Sequence, residues 1–188
     1  KTMGLTAQLL TFARGGGPVK EAACIEDLIR ETVGISLHGA NTKPEYCLGD
    51  GLWSVGIDVG QIGQVIQNLV INADQAMPNG GTLKISADNA EIYDEDSLPL
   101  EGGSYVKITV ADQGIGMSER VRKQIFDPYF STKDAGHGLG LSITYSIVQR
   151  HGGYITVDSV IDEGTTFEFY LPATDKEAAV AVEHEREL

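Results

Sequence analysis

Two asparagines interrupt an otherwise apolar stretch, residues 66–77, which reads IQNLVINADQAM. Asn68 and Asn72 are four residues apart, so a helix over this stretch places both amides on one face. Asparagine is a poor helix former, and its burial without partners costs free energy. Its carboxamide oxygen is a hard ligand that suits Mg²⁺, which binds oxygen atoms and bridges phosphates. The pair therefore indicates either a metal and phosphate site or two buried asparagines that the backbone satisfies.

Two glycine motifs follow, DQGIG at 112–116 and GHGLGL at 136–141. Neither has the third glycine of a dinucleotide fingerprint, and the chain lacks the Gly-Lys pair of a P-loop. The second motif lies just before a predicted helix, where backbone N–H groups and the helix dipole suit phosphate oxygens. Asp112 follows a predicted strand and could accept a hydrogen bond from an adenine amino group. A flexible loop and a turn-forming aspartate are the alternatives that these residues leave open.

Hydrophobic periodicity predicts the elements that would position these residues. Helices are expected over 24–38, from an Asp58 cap to about residue 77, near 118–124, and over 139–151. Strands are expected over 43–48, 53–57, 82–88, 105–111, 154–159 and 166–171, with an acidic, solvated loop over 91–101. Strands that pair through hairpins with helices between them predict an α+β fold. We expect a two-layer sandwich whose mixed, mostly antiparallel sheet is covered by helices on one face.

Composition limits the class of protein. The chain has 188 residues, 41% of them hydrophobic, and a formal charge of −13 from 14 basic and 27 acidic residues. This charge argues against binding to nucleic acid or to anionic membranes. Cys24 and Cys47 fit no metal-binding spacing, so we expect both to be small buried residues. Without a secretory signal or a long apolar run, the chain is predicted to be cytoplasmic, although its start at Lys1 suggests a piece of a longer protein whose other parts could hold a membrane span.

Five motifs occur in a fixed order between residues 68 and 167: NLVINADQA, DQGIG, FDPYF, GHGLGL and GTTF. Each is weak alone, but the ordered set is specific. It resembles the catalytic ATP-binding domain of sensor histidine kinases, in the GHKL or Bergerat superfamily that includes gyrase, Hsp90 and MutL. The resemblance covers about residues 20–173. It implies the Bergerat fold and binding of ATP with Mg²⁺.

The resemblance also implies roles for individual residues. Asn72 would bind Mg²⁺, and Asn68 would support the metal and the phosphates; with Lys133 they form the expected catalytic set. Asp112 would accept a hydrogen bond from the adenine amino group, and Thr165 would close the adenine side. The remaining cofactor-binding residues are those that would shape the pocket, anchor a mobile lid over 127–137 or wrap the triphosphate: Gly114, Gly116, Phe126, Phe130, Thr132, Lys133, Gly136, His137, Gly138, Leu139 and Gly140.

The residue at position 68 separates kinases from hydrolases. Superfamily ATPases carry a glutamate there as a general base for water, whereas a carboxamide cannot accept a proton at neutral pH. Asn68 therefore favours phosphoryl transfer that rests on positioning and on Mg²⁺. Three alternatives stay open: an ATPase-type conformational machine, a nucleotide-sensing module without catalysis, and an anti-sigma-type serine kinase.

The same resemblance predicts the domain organisation and the partners. Residues 1–14 resemble the end of a dimerisation and phosphotransfer helix, 15–19 a linker, 20–173 the ATP-binding domain, and 174–188 a partly disordered tail. The expected partners are the dimerisation and histidine phosphotransfer domain of a homodimeric parent and a response regulator receiver domain. Of the four histidines, only His184 precedes an acidic residue, and it lacks the context of an acceptor. We therefore expect an acceptor upstream of Lys1, and no self-phosphorylation.

Overall fold

The computed structural model describes residues 17–93, 97–131 and 138–175. Within them lie seven strands and four helices. In chain order they are β1 (Glu21–Ala23), α1 (Ile25–Ser36), β2 (Thr42–Leu48), β3 (Val55–Ile57), α2 (Val59–Ala76), β4 (Gly81–Ile92), β5 (Gly103–Asp112), α3 (Glu119–Arg122), α4 (Gly140–Arg150), β6 (Tyr154–Val160) and β7 (Gly164–Pro172).

Five strands form the main sheet in the order β2-β4-β5-β7-β6. The edge strand β2 runs parallel to β4, and every other pair in this sheet is antiparallel. Strands β1 and β3 form a separate antiparallel pair. The predicted mixed, mostly antiparallel sheet is confirmed. Strand β1 was missed because three residues are too few to give a clear alternation of apolar and polar side chains.

One face of the main sheet is apolar and covered by helices. Along β5, Val106, Ile108 and Val110 are buried, because alternate residues of a strand point to the same face. Helix α2 packs over this face and contacts both α1 and α4. On the opposite face, Lys107 Nζ lies 3.2 Å from Glu168 Oε1 in a half-exposed ion pair. The two-layer arrangement expected for this sequence is therefore confirmed.

The predicted cap of α2 is also present. The side chain of Asp58 accepts a hydrogen bond from the backbone N–H of Gln61 at 3.1 Å, which satisfies one of the free N–H groups of the first turn. At the other end, the helix stops at Ala76, before the turn that contains PNGG.

Asp58 is also part of a junction between three segments. Its backbone N–H donates to Nε2 of the buried His151 at 3.0 Å, and its Oδ2 accepts from the Val19 N–H at 3.2 Å. The His151 carbonyl accepts from Lys20 Nζ at 3.2 Å. These bonds join the start of α2, the residue after α4 and the segment that leads into β1.

Two expectations about local structure were wrong. Cys24 and Cys47 are both exposed, not buried. Cys24 precedes α1, and Cys47 shares the outward face of edge strand β2 with Lys43 and Glu45. The predicted loop over 91–101 is shorter than expected, because β4 continues to Ile92.

The end of a dimerisation and phosphotransfer helix expected over 1–14 and the tail beyond residue 175 lie outside the described residues. Inside them, the Thr174 N–H donates to the Ser54 carbonyl at 2.8 Å, so the end of the described chain is attached to the domain. None of the helices in the described residues is both long and apolar enough to cross a membrane.

Candidate functional site

Asp112 is the last residue of β5 and continues the buried alternation of Val106, Ile108 and Val110. Its side chain, 9% exposed, therefore faces the helix layer. Oδ1 accepts two backbone hydrogen bonds, from Gly114 at 2.8 Å and from Thr165 at 3.3 Å. Burial raises the pKa of the Asp112 carboxyl above its ordinary value, and the two N–H donors oppose that rise. No described group donates to Oδ2, so this oxygen is available to a ligand.

The loop after Asp112 packs directly on the end of α2. The Ile115 N–H donates to the Ala76 carbonyl at 3.1 Å. A Cβ at Gly114 would lie 2.6 Å from that carbonyl oxygen, and Gly116 has φ +62°, a conformation that favours glycine. Both glycines of the motif therefore allow the close approach of this loop to its neighbours.

The two asparagines of α2 have different surroundings. Asn68 is 8% exposed, and its Nδ2 donates to the Gly140 carbonyl at 3.1 Å and to Thr144 Oγ1 at 3.3 Å. Asn68 is therefore a buried asparagine whose amide is satisfied by protein groups, one of the two alternatives that the sequence left open. Its hydrogen bonds join α2 to the first turns of α4. Asn72, one turn later, is half-buried, and its side chain makes no hydrogen bond with a described residue. Its amide is therefore free to bind a ligand.

The glycine motif leads into the start of α4, as predicted. Leu139 precedes the helix and gives no side-chain cap, so the first N–H groups of α4 are left for other acceptors. Gly140 stands beside Asn68, which donates to its carbonyl, and Gly138 and Leu139 directly precede it in the chain. The helix has 11 residues, enough for its dipole to favour an anion at this end.

Two aromatic residues anchor the segment before the glycine motif. The Phe126 ring packs against Tyr145 of α4 at 5.4 Å and Phe167 of β7 at 6.4 Å between centroids. Phe130 packs against the core, and the Tyr129 N–H donates to the Gly138 carbonyl at 3.0 Å. These contacts fix the residues at the start of the expected lid and Gly138, which directly follows it. The lid residues Thr132, Lys133, Gly136 and His137 lie outside the described residues.

Thr165 lies at the start of β7, opposite Ser159 of β6. Its backbone N–H reaches Asp112, and its Oγ1 lies 2.9 Å from Ser159 Oγ. Ser159 also accepts a hydrogen bond from the Met117 N–H at 2.8 Å. The sequence analysis did not identify Ser159, although it ends the strand predicted over 154–159, three residues before the DEG segment at 162–164, and so lies near Thr165 across the hairpin.

The oxygen ligands at this site suit a cation that is held mainly by nucleotide phosphates better than one that is held entirely by protein side chains. In the described part of the chain, no group of three or more His, Cys, Asp or Glu side chains could hold a metal ion. The amide oxygens of Asn68 and Asn72 are hard ligands. Such a site suits Mg²⁺, which keeps several waters and takes most of its other ligands from substrate phosphates.

Comparisons with known proteins agree with this geometry. A family model described as "Histidine kinase-, DNA gyrase B-, and HSP90-like ATPase" matches residues 57–175. The sensor kinase CckA of Brucella abortus (strain 2308) is 36% identical over 179 residues, covering 92% of this chain and 19% of that protein. Sporulation kinase A of Bacillus subtilis (strain 168) is 36% identical over 174 residues, covering 89% and 26%. The chain thus spans only a part of the length of these relatives.

Solved structures give the same result. Full-length ShkA in complex with AMPPNP is 25% identical with a TM-score of 0.75, covering 94% of this chain and 36% of that one. The nucleotide-free catalytic domain of histidine kinase ThkA is 30% identical with a TM-score of 0.67, covering 82% and 96%. From the ordered motifs, the fold and these matches, the chain belongs to the family of histidine kinase-, DNA gyrase B- and HSP90-like ATPases.

Proposed function

We propose that this chain is the ATP-binding catalytic domain of a sensor histidine kinase. It binds ATP with Mg²⁺ and transfers the γ-phosphate to a histidine on the dimerisation and phosphotransfer domain of its parent chain. The phosphate then passes to a response regulator receiver domain. The hydrogen bond between Asn68 and Gly140 carries this proposal, because it joins the asparagine helix to the glycine motif at the start of α4.

In this proposal, Asp112 recognises the adenine. Its Oδ1 is fixed by two backbone N–H groups, and Oδ2 accepts a hydrogen bond from the exocyclic amino group. A charge-assisted bond of this kind is stronger than a neutral one. Gly114 and Gly116 let the loop approach the base, and Thr165 closes the pocket beside Asp112.

The phosphates lie against the start of α4. Backbone N–H groups from Gly138 to Gly140 and the helix dipole favour their negative charge. Asn72 offers its carboxamide oxygen to Mg²⁺, and Asn68 supports the site with Oδ1, because its Nδ2 is already engaged. Bound Mg²⁺ neutralises charge that develops on the transferring phosphoryl group. Thr132, Lys133, Gly136 and His137 complete the phosphate contacts from the lid anchored by Phe126 and Phe130.

The acceptor is a histidine of another domain. A carboxamide at position 68 provides no base that could activate water. His151 is buried with both ring nitrogens hydrogen bonded, to Asp58 and to Ile147, so it cannot receive a phosphoryl group. We propose in addition that the parent is a homodimer and that this domain lies in the cytoplasm.

Calorimetry with an asparagine variant tests the metal and nucleotide site. In Asn72→Ala, we expect ADP affinity in the presence of Mg²⁺ to fall about tenfold, because the carboxamide oxygen that binds the charged metal ion is lost. Without Mg²⁺, the variant and the wild type should differ little. Asn41→Ala, at an exposed position before β2, is the matched control and should bind normally. Equal losses with and without Mg²⁺ would remove Asn72 from the metal site.

A transfer assay tests the reaction. The chain is incubated with radiolabelled ATP and a histidine-bearing phosphotransfer domain of this family. We expect acid-labile phosphate on the added domain and none on this chain. Steady ATP turnover without the added domain would instead support an ATPase-type machine. Phosphate on His38, or on any other histidine of this chain, would contradict the proposed acceptor.

A further inference from the structure

The Ser159 hydroxyl joins three segments around the candidate adenine pocket. It accepts the Met117 N–H at 2.8 Å, bonds the Gly164 carbonyl at 3.0 Å and lies 2.9 Å from Thr165 Oγ1. A hydroxyl has one donor hydrogen and two acceptor lone pairs, so these three bonds use its full capacity. Ser159 is half-buried near the end of β6, and its hydroxyl bonds both to the loop that follows Asp112 and to the hairpin of β6 and β7.

The same segments supply the two N–H groups that fix Asp112. Gly114 belongs to the loop that Ser159 holds at Met117, and Thr165 belongs to the strand that Ser159 holds through its side chain. The Thr165 bond to Asp112 is the longer of the two, at 3.3 Å against 2.8 Å. Loss of the Ser159 hydroxyl would release this weaker contact first, and the Asp112 carboxylate would then be held from one side only.

We propose that Ser159 is a positioning residue that sets the base selectivity of the site. It acts through Thr165 and Met117, which aim the free Oδ2 of Asp112 at an exocyclic amino group of a purine. The inference rests on the proposed adenine role of Asp112 and adds to it the group that orients the carboxylate. A side chain with only a structural role would change the affinity for every purine nucleotide by the same factor.

The test compares ADP with inosine diphosphate, which carries a carbonyl where adenine carries the amino group. Binding of each, with Mg²⁺, is measured by calorimetry for the wild type, Ser159→Ala, Ser159→Cys and Ser159→Thr. In Ser159→Ala, we expect ADP affinity to fall about three- to tenfold while inosine diphosphate affinity stays within about twofold. Ser159→Thr keeps the hydroxyl and should keep the wild-type ratio of the two affinities.

Two controls keep the result interpretable. Ser104→Ala removes a hydroxyl at the far end of β5 whose bonds within the described residues are to Glu91, and it should leave both affinities unchanged. Ser159→Cys keeps the volume of the side chain but bonds weakly, so it repeats the test if Ser159→Ala fails to fold. Circular dichroism melting of each variant identifies which ones fold.

The outcomes separate this inference from the proposed function. Parallel losses for both nucleotides, or no loss for either, in a folded variant would overturn the role of Ser159. If Asp112→Asn abolishes the preference for ADP while Ser159→Ala and Ser159→Cys keep it, only the inference fails. If the wild type binds ADP and inosine diphosphate equally, the adenine role of Asp112 fails, and the inference that rests on it fails too.

Discussion

At the scale of single residues, the buried carboxylate of Asp112 suits ligand binding but lowers the stability of the fold at neutral pH. The strand alternation that buries Val106, Ile108 and Val110 also takes this carboxylate out of water. Burial raises its pKa, so its contribution to stability is present below the unfolded value of 3.8 and is lost as pH rises through the folded value. At neutral pH the ionised carboxylate therefore lowers the free energy of unfolding. Recognition of a nucleotide's adenine base would explain why a carboxylate stands at this buried position.

Replacing Asp112 by asparagine should separate the two effects. In Asp112→Asn, the amide oxygen can still accept from Gly114 and Thr165, but no charge is buried. We expect ADP affinity to fall about tenfold. The free energy of unfolding in urea at pH 7.5 should be equal to or higher than that of the wild type, and this difference should shrink below pH 4. A variant that is less stable at pH 7.5 yet binds ADP normally would contradict both expectations.

At the scale of elements, the site depends on one close contact between a loop and a helix end. The loop at 113–116 is held against α2 by the bond from Ile115 to Ala76. The α2 helix is held in turn against α4 by Asn68. The pocket is therefore a consequence of how three elements pack, and it tolerates little added volume at their contact.

A pair of glycine substitutions tests this tolerance. In Gly114→Ala, the new Cβ would lie 2.6 Å from the Ala76 carbonyl oxygen, so the free energy of unfolding should fall by about 1–3 kcal/mol. In Gly34→Ala, on α1, nothing lies within 4 Å of the new Cβ, and helix propensity should raise stability by about 0.5–1 kcal/mol. Chemical denaturation measures both. Equal effects would mean that the loop and α2 are less tightly packed than described.

A second test concerns the junction of α2 and α4. Because Nε2 of His151 accepts from Asp58, Nδ1 carries the proton and donates to the Ile147 carbonyl at 2.7 Å. Burial lowers the pKa of His151, and nearby Lys20 lowers it further, while the Ile147 bond and Asp58 oppose this. Its contribution to stability is therefore present above the unfolded value of 6.5 and is lost as pH falls through the folded value.

We expect His151→Gln to lower the free energy of unfolding by about 1–3 kcal/mol at pH 7.5, because the Asp58 N–H and the Ile147 carbonyl lose their hydrogen bonds to the imidazole. The variant should also lose less stability than the wild type between pH 7.5 and pH 5.5. His38→Gln, at an exposed position after α1, is the matched control and should follow the wild type. A wild type whose stability is unchanged over this pH range would contradict the buried, neutral histidine.

The sequence allowed prediction where a local pattern has a local cause. The Asp58 cap, the extent of α2 and the alternation of β5 follow from residues close in the chain. The bond between Ser159 and Met117, 42 residues apart, and the exposure of Cys47 were not predictable in this way, since the first depends on how distant segments pack and the second on which strand becomes the sheet edge. The surroundings of Asn68 belong to the same class: its partner at Gly140 is 72 residues away.

At the scale of the whole molecule, the main electrostatic feature is the excess of acidic residues. The formal net charge is −13, and the described ion pairs are all at least partly exposed. Surface pairs of this kind contribute little to stability, so they do not offset the general repulsion between acidic groups. The site we propose for a polyanionic nucleotide therefore depends on local N–H groups, on Mg²⁺ and on Lys133.

Added salt should stabilise the chain. At 0.15 M ionic strength the Debye length is about 8 Å, so repulsion between separated acidic groups is largely screened. We expect the urea midpoint at pH 7.5 to rise between 0.02 M and 0.3 M sodium chloride. Sucrose of the same osmolality controls for osmotic effects. A midpoint that falls with salt would show that attractive pairs outweigh the repulsion.

The junction at Asp58 and His151 has a mechanical consequence. Val19 and Lys20 are hydrogen bonded to the residues that begin α2 and follow α4. At 1.5 Å per residue, Asn72 stands about 21 Å along α2 from Asp58. A displacement of the chain at residues 19–20 therefore acts on one end of a stiff rod whose other end carries the proposed magnesium ligand. Force applied to the entry of the domain would reach the phosphate site as a shift or tilt of that rod.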